Sequence, residues 1–335
     1  MLRLVADACE TKIAPAFGGG YCAAHNAMPF VSTPRLRVHY EEAGAGPEVF
    51  VFVHGNFASW RWWKPVLQRL PPGWRGIAPD LRGCGETSSD TTAEARASFA
   101  IPELAADLAA FVEALGLGAF HLVGHSLGGA VALQYALQHQ ARVRSLTLVA
   151  PAPPTGLSAL REGTSTAARF LRRIDLDHRS SLAALQSSYR MQRALGTNRW
   201  ILRRALAEMM PSAELDSAAA EELLADAARL SSDAVVGFLE ALHRWNVEAE
   251  LPALRVPSVI LWGEKDTLVP RAALEKMARL LPAAEMVVWP DTGHSPQLER
   301  PDEFVALLAS SRRGLLARRL RMMLGRAKRW YGAAL

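Results

Sequence analysis

Two hydrophobic rhythms alternate along this chain. Short unbroken apolar runs, closed by Gly, Pro or Asp, are separated by longer stretches in which apolar residues recur every three or four positions. Val49, Phe50, Val51, Phe52 and Val53 are continuous and read as a strand buried on both faces. Residues 76–80, 119–123, 145–149, 256–263 and 284–289 read the same way, and 36–40 alternates like a half-buried strand. Between them, Leu104, Leu108, Phe111, Val112 and Leu115 fall on one face of a helix over 101–115. Further helices are expected at 130–139, 271–281 and 302–310. Strands that alternate with helices imply an α/β fold, a mostly parallel sheet flanked by helices.

The rhythm changes after the sixth strand. From 155 to 251 strand signals vanish, and Ala, Leu, Arg and Glu dominate in helical stretches punctuated by Gly196, Pro211 and a Ser-Ser-Asp cluster at 231–233. Residues 1–34 carry three glycines at 18–20 and no sustained period. They read as an N-terminal extension. The expected organisation is therefore an extension (1–34), a core in two pieces (35–154 and 252–310), a helical insert (155–251) and a C-terminal tail (311–335).

Half of the 335 residues are apolar, enough for a sizeable core. No run reaches the roughly eighteen apolar residues of a membrane span. Asp7 and Glu10 interrupt the amino terminus, so a secretory signal is not expected there and a cytoplasmic location is. Three cysteines, Cys9, Cys22 and Cys84, make neither a disulfide framework nor a metal cluster, and no metal or cofactor is implied. The net charge of +5 is unevenly placed. Residues 304–335 hold eight Lys or Arg and no acid; removing those eight leaves −3 for residues 1–303. Nothing in that body argues for nucleic-acid binding. Between 315 and 331 the tail places Leu316, Leu320, Met323, Leu324, Ala327, Trp330 and Tyr331 on one helical face with most arginines opposite. That pattern suits a helix lying peripherally on an anionic membrane. A helix docked on the body and a disordered tail are the alternatives.

The chemistry concentrates at strand ends. Gly124, His125, Ser126, Leu127 and Gly128 form a G-x-S-x-G turn between an apolar strand and a helical run. Such a turn lifts the serine hydroxyl clear of the sheet edge. A serine hydroxyl is a poor nucleophile until a base takes its proton, and that base needs a carboxylate to hold it. Asp266 ends the strand that starts at 256, and Gly293-His294 follows the strand over 284–289. Both lie just past carboxyl strand ends, where open α/β sheets bind ligands.

Four motifs in order, His54-Gly55-Asn56, an Asp-Leu-Arg-Gly-Cys-Gly turn at 80–85, the serine turn at 124–128, and Gly293-His294 with Glu299, Pro301 and Phe304, resemble serine hydrolases of the α/β-hydrolase fold, in the branch with a helical cap. The likeness covers roughly residues 35–310 and implies that 155–251 is that cap. It implies Ser126 as nucleophile, His294 as base and Asp266 as its orienting acid, with Glu264 and Asp291 as weaker rivals for the acid. It also implies an oxyanion hole made by the backbone N–H of Leu127 and of Asn56, or else of Phe57. Phe57 and Trp60 are the candidate substrate-binding residues, and Trp63 is expected in the core. His125, Asp80, Arg82 and Cys84 are expected to be structural.

The implied activity is hydrolysis of a carboxylic ester, thioester or lactone of an apolar acyl group through an acyl-enzyme. The same three side chains also serve C–C bond hydrolysis and acyl transfer. A ligand-binding protein that keeps the fold with little turnover is the alternative of another class. Epoxide hydrolases and haloalkane dehalogenases of this fold place aspartate where Ser126 stands.

Overall fold

The computed structural model describes residues 29–87, 99–212 and 218–311. The C-terminal tail from 312, with the proposed amphipathic face, and residues 1–28 of the extension lie outside the described residues. Among the described residues the sheet has eight strands: β1 (Phe30–Ser32), β2 (Arg37–Ala43), β3 (Glu48–Val53), β4 (Trp74–Pro79), β5 (Phe120–His125), β6 (Val143–Val149), β7 (Ser258–Gly263) and β8 (Ala284–Trp289). Their spatial order is β1-β2-β4-β3-β5-β6-β7-β8. β1 and β2 run antiparallel, and β4 through β8 are parallel.

Side-chain alternation splits the core into two layers. Val51, Val53, Leu122, Leu146, Leu148, Ile260 and Trp262 face one side of the sheet. Phe50, Phe52, Val123, Val149 and Leu261 face the other. Both faces are dry because helices cover both, which is why these strands read as unbroken apolar runs. The first layer receives α2 (Ile101–Ala114) and α3 (Leu127–Gln138). The second receives α1 (Lys64–Leu67) and a helix over 301–311, through Val66, Leu67, Phe304 and Leu308.

Between β6 and β7 lie α4 (Leu157–Leu160), α5 (Thr166–Leu171), α6 (Arg179–Ala194), α7 (Asn198–Met209), α8 (Ala218–Arg229) and α9 (Ser232–Arg244). Polar contacts tie this insert to the segment after β3. Ser59 donates to Asp226 of α8. Arg61 bridges Glu86, at 3.0 Å, and Asp226, at 3.3 Å. The chain resumes through α10 (Arg271–Leu280), β8 and the short α11 (Pro296–Glu299).

One expectation changes and another is sharpened. The extension read over 1–34 already contains an element of the core: Phe30–Ser32 pairs antiparallel with β2 as β1. Three residues between prolines carry no period, so only the partner strand reveals them. Arg82, expected to be structural, reaches out of its turn to a helix. It forks onto Asp107 of α2, at 2.8 and 2.7 Å, and Arg35 donates to the same carboxylate at 2.7 Å. Asp80 does hold the turn, accepting from the backbone N–H of Trp60 and Glu86.

Asp107 is buried and is shared by two guanidinium groups. Asp107→Ala removes that common carboxylate from a largely dry site. We expect a loss of about 3 kcal/mol, measured by urea denaturation, with little change in secondary structure.

Candidate active site

The site is built at the carboxyl ends of β3, β5, β7 and β8. After β5 the backbone turns at Ser126 with φ 52° and ψ −117°, and α3 begins at the next residue. That conformation is rare for a residue with a side chain, and the fold imposes it. The turn closes this tightly because glycines flank it. A Cβ at Gly124 would lie 2.3 Å from the carbonyl oxygen of Gly128, and one at Gly128 would lie 2.3 Å from that of His54. Hydrogen bonds fix the serine backbone: its N–H donates to Val149, and its carbonyl accepts from Gly129, Ala130 and Ala152.

The loop after β3 lies directly against the serine. A Cβ at Gly55 would sit 3.1 Å from Cβ of Ser126. The N–H of Phe57 is taken by the side chain of Asn56, at 2.9 Å. The N–H groups of Asn56 and Leu127 make no hydrogen bond among the described residues. The first N–H groups of a helix have no partner within it, and buried donors are nearly always matched. This loop and the start of α3 therefore offer two open donors beside one hydroxyl.

His294 is held on three sides. Its N–H donates to the carbonyl of Met209 at the end of α7, at 2.6 Å. Its carbonyl accepts from Nε2 of His125, at 2.9 Å. Its Nδ1 lies 2.8 Å from Oδ2 of Asp266, and both side chains are almost wholly buried. The remaining oxygen of Asp266 accepts from the N–H groups of Leu268 and Val269. The carboxylate thus meets the ring in one fixed pose, with Nδ1–H donating and Nε2 turned away from it. Among the described residues no hydrogen bond joins Ser126 Oγ to His294. Such catalytic contacts often tighten only around substrate. Glu299 cups the same loop, accepting from the N–H of Gly293 at 3.0 Å and of Ser295 at 3.3 Å.

The chain therefore brings Ser126, Asn56, Leu127, Asp266 and His294 to one edge of the sheet. Of the rival acids, Asp291 pairs with Lys265 at 2.8 Å and Glu264 is exposed. Phe57 is partly buried, with its ring 6.3 Å from Tyr189 of α6. Trp60 is buried in the layer with Phe52, Trp63 and Val66. The indole near the site is Trp62, which stacks on His125 at 5.6 Å. Three tryptophans in four residues cannot be told apart by period, because a short 3-10 turn (Trp60–Trp63) sets their directions. The contact of His125 with the His294 loop was missed too, since nothing local in the sequence announces a partner 169 residues away.

Among the described residues, His39, Asp80 and Glu86 bring possible ligand atoms within 4.8 Å of one another. Their oxygens are already engaged: Asp80 by His39 at 2.7 Å and by two backbone N–H groups, Glu86 by Arg61. This cluster is a clasp under the turn at 80–85. Cys84 is buried beside it, and burial pushes its thiol well above the ordinary range. The two histidines of the insert, His178 and His243, pair with Asp175 and Asp177.

The sequence profile of the alpha/beta hydrolase fold matches residues 48–301, a span that contains every loop described above. The chain belongs to the alpha/beta hydrolase fold family. Among its relatives, the dihydrolipoyllysine-residue acetyltransferase component of the acetoin cleaving system of Cupriavidus necator is 27% identical over 308 residues, covering 88% of this chain and 71% of the relative. Pimeloyl-(acyl-carrier protein) methyl ester esterase of Vibrio vulnificus strain YJ016 is 25% identical over 273 residues, covering 82% of this chain and 97% of the relative. The solved esterase EaEST of Exiguobacterium antarcticum shares the fold, with a TM-score of 0.69 at 21% identity over 84% of this chain and 97% of that one. This alpha/beta hydrolase is accordingly an enzyme that hydrolyses its substrate. No described helix is long and apolar enough to cross a membrane.

Two buried histidines give a pH test of this packing. His54 accepts from the N–H of Leu81 through Nε2, at 2.9 Å, so its proton sits on Nδ1 and faces the carbonyl of Gly55. Burial lowers the pKa of His54, and burial together with the nearby His294 lowers that of His125 well below the usual value. As pH falls through the ordinary imidazole value near about 6.5, the unfolded chain gains protons that the folded chain refuses. Stability should therefore be full above that pH and fall below it. Denaturant midpoints taken between about pH 7 and pH 5 should drop, and His125→Gln should flatten the slope.

Proposed function

We propose that this protein is a serine hydrolase that cleaves carboxylic esters through an acyl-enzyme, with Ser126, His294 and Asp266 as its catalytic triad. The observation that carries the reading is the buried Asp266–His294 pair, at 2.8 Å, on the same sheet edge as a serine held at positive φ. Ser126 Oγ attacks the acyl carbon as His294 Nε2 takes its proton. The carbonyl oxygen, now an oxyanion, is met by the open N–H groups of Asn56 and Leu127, each worth about 3 kcal/mol to the transition state. His294 returns the proton to the departing alcohol. Water, deprotonated by the same nitrogen, then releases the acid and restores the serine.

Asp266 keeps its negative charge and fixes the ring. The helical insert is read as a cap: Met209 touches the His294 loop, and Tyr189 faces Phe57 of the oxyanion loop. A cap of this kind excludes water and supplies an apolar wall for the acyl group. The Vibrio relative is named as a methyl ester esterase, which agrees with an ester as substrate class.

The test is turnover of p-nitrophenyl esters of graded chain length. Ser126→Ala should lower kcat by at least about 10⁴-fold. In Asp266→Asn the backbone N–H groups of Leu268 and Val269 still orient the side chain, and an amide N–H now faces His294 Nδ1. That favours the wrong tautomer, and a loss of about 10⁴-fold in kcat is expected. Ester turnover that survives Ser126→Ala would sink the reading.

A further inference from the structure

Among the described residues five large apolar side chains stand in solvent, and four of them cluster at the tip of one helical hairpin. Met191 is 61% exposed, Leu195 70%, Trp200 67% and Ile201 44%. They occupy the end of α6, the turn at 195–197 and the start of α7. From 190 to 201 every residue but Gln192 and Asn198 is exposed, so the hairpin protrudes. Leaving an indole and three aliphatic chains in water is costly, and contiguous exposed apolar groups usually mark a contact surface.

The surrounding charge says what the contact is with. Residues 178–207 contain six arginines, Arg179, Arg190, Arg193, Arg199, Arg203 and Arg204, and no acid. Two acids from neighbouring helices offset them in part: Glu221 receives Arg199 and Arg203, and Asp233 receives Arg190 at 3.3 Å. Taking these six charges and the eight of residues 304–335 from the total of +5 leaves −9 for the rest of the chain. By charge, an anionic surface attracts the hairpin, whose arginines outnumber the acids paired with them.

We propose that the α6–α7 tip docks on an anionic lipid surface, with Met191, Leu195, Trp200 and Ile201 entering the headgroup boundary and Arg190, Arg193, Arg199 and Arg203 close to its level. Tryptophan suits that boundary because its ring is apolar and its N–H is not. A shallow insertion of about 5–10 Å is within reach of these side chains. A narrow protruding tip also fits a soft surface better than a rigid protein face, which needs about 1,000 Å² of matched area. The other end of α7 is Met209, whose carbonyl holds His294. Nine residues of helix put the site about 14 Å from the docked tip. The docking surface stands whether or not Ser126 is the nucleophile.

The test is co-sedimentation of the full chain with phosphatidylcholine vesicles that contain or lack phosphatidylglycerol. Wild type should partition onto the anionic vesicles, and Ser126→Ala should match it. Met191→Ser with Leu195→Ser and Trp200→Ser should weaken partitioning at least about tenfold, with circular dichroism unchanged. A second readout is an environment-sensitive fluorophore on Leu195→Cys, in a chain with Cys9→Ser and Cys22→Ser. Its emission should shift to the blue only with anionic vesicles. Equal partitioning of wild type and triple variant overturns the proposal and assigns binding to other parts of the chain. Absence of partitioning, or an unshifted fluorophore, overturns it as well. Concentration-dependent self-association that the triple variant abolishes, without vesicle binding, assigns the tip to a second copy instead.

Discussion

One backbone constraint organises the rest of this molecule: the chain must reverse from β5 into α3 within a single residue. Ser126 takes that reversal at φ 52°. Strain of this kind costs about 1–3 kcal/mol and persists only where surrounding structure over-determines it. Here the serine's N–H and carbonyl are both engaged, and Gly128 lies against the carbonyl of His54, just past the end of β3. Bulk at either flanking glycine would separate α3 from β3. The turn thus sets the distance between the serine and the loop after β3, and with it the spacing of the two open N–H groups.

The histidine side of the site is supported differently. No strand end holds His294 alone; its loop is gripped by Asp266 after β7, by His125 from inside the serine turn, by Glu299 of α11 and by Met209 of the insert. His125 is the link between the two halves. Kept neutral by burial, it donates one hydrogen bond to the backbone of the residue whose ring must face the serine. A residue that looks like padding beside Ser126 therefore transmits the position of one loop to the other.

The strands at 49–53 and 145–149 were legible because both their faces are buried, leaving unbroken apolar runs. Ser126, Asp266 and His294 were legible because each ends such a run. What stayed hidden depended on distant partners. Phe30–Ser32 becomes a strand only against β2. Arg82 looked local to its turn, and its partner Asp107 lies on α2. Trp60 and Trp62 differ in direction by a turn geometry that no hydrophobic period encodes. The exposed tip of α6 and α7 was equally invisible, since Leu195 and Trp200 are ordinary core residues in any pattern until a structure shows no neighbour packed on them. Charge placement was readable in advance, but its relation to that tip was not.

The central claim is that the hydroxyl of Ser126 is a nucleophile made reactive by His294 and Asp266. The most direct measurement treats the folded full-length protein with a fluorophosphonate and locates the adduct by peptide mass spectrometry. The account predicts one phosphonyl group on the peptide containing Ser126, formed far more slowly in Asp266→Asn and absent in Ser126→Ala. A folded protein that takes up no label at Ser126, or that is labelled equally after Ser126→Ala, contradicts it.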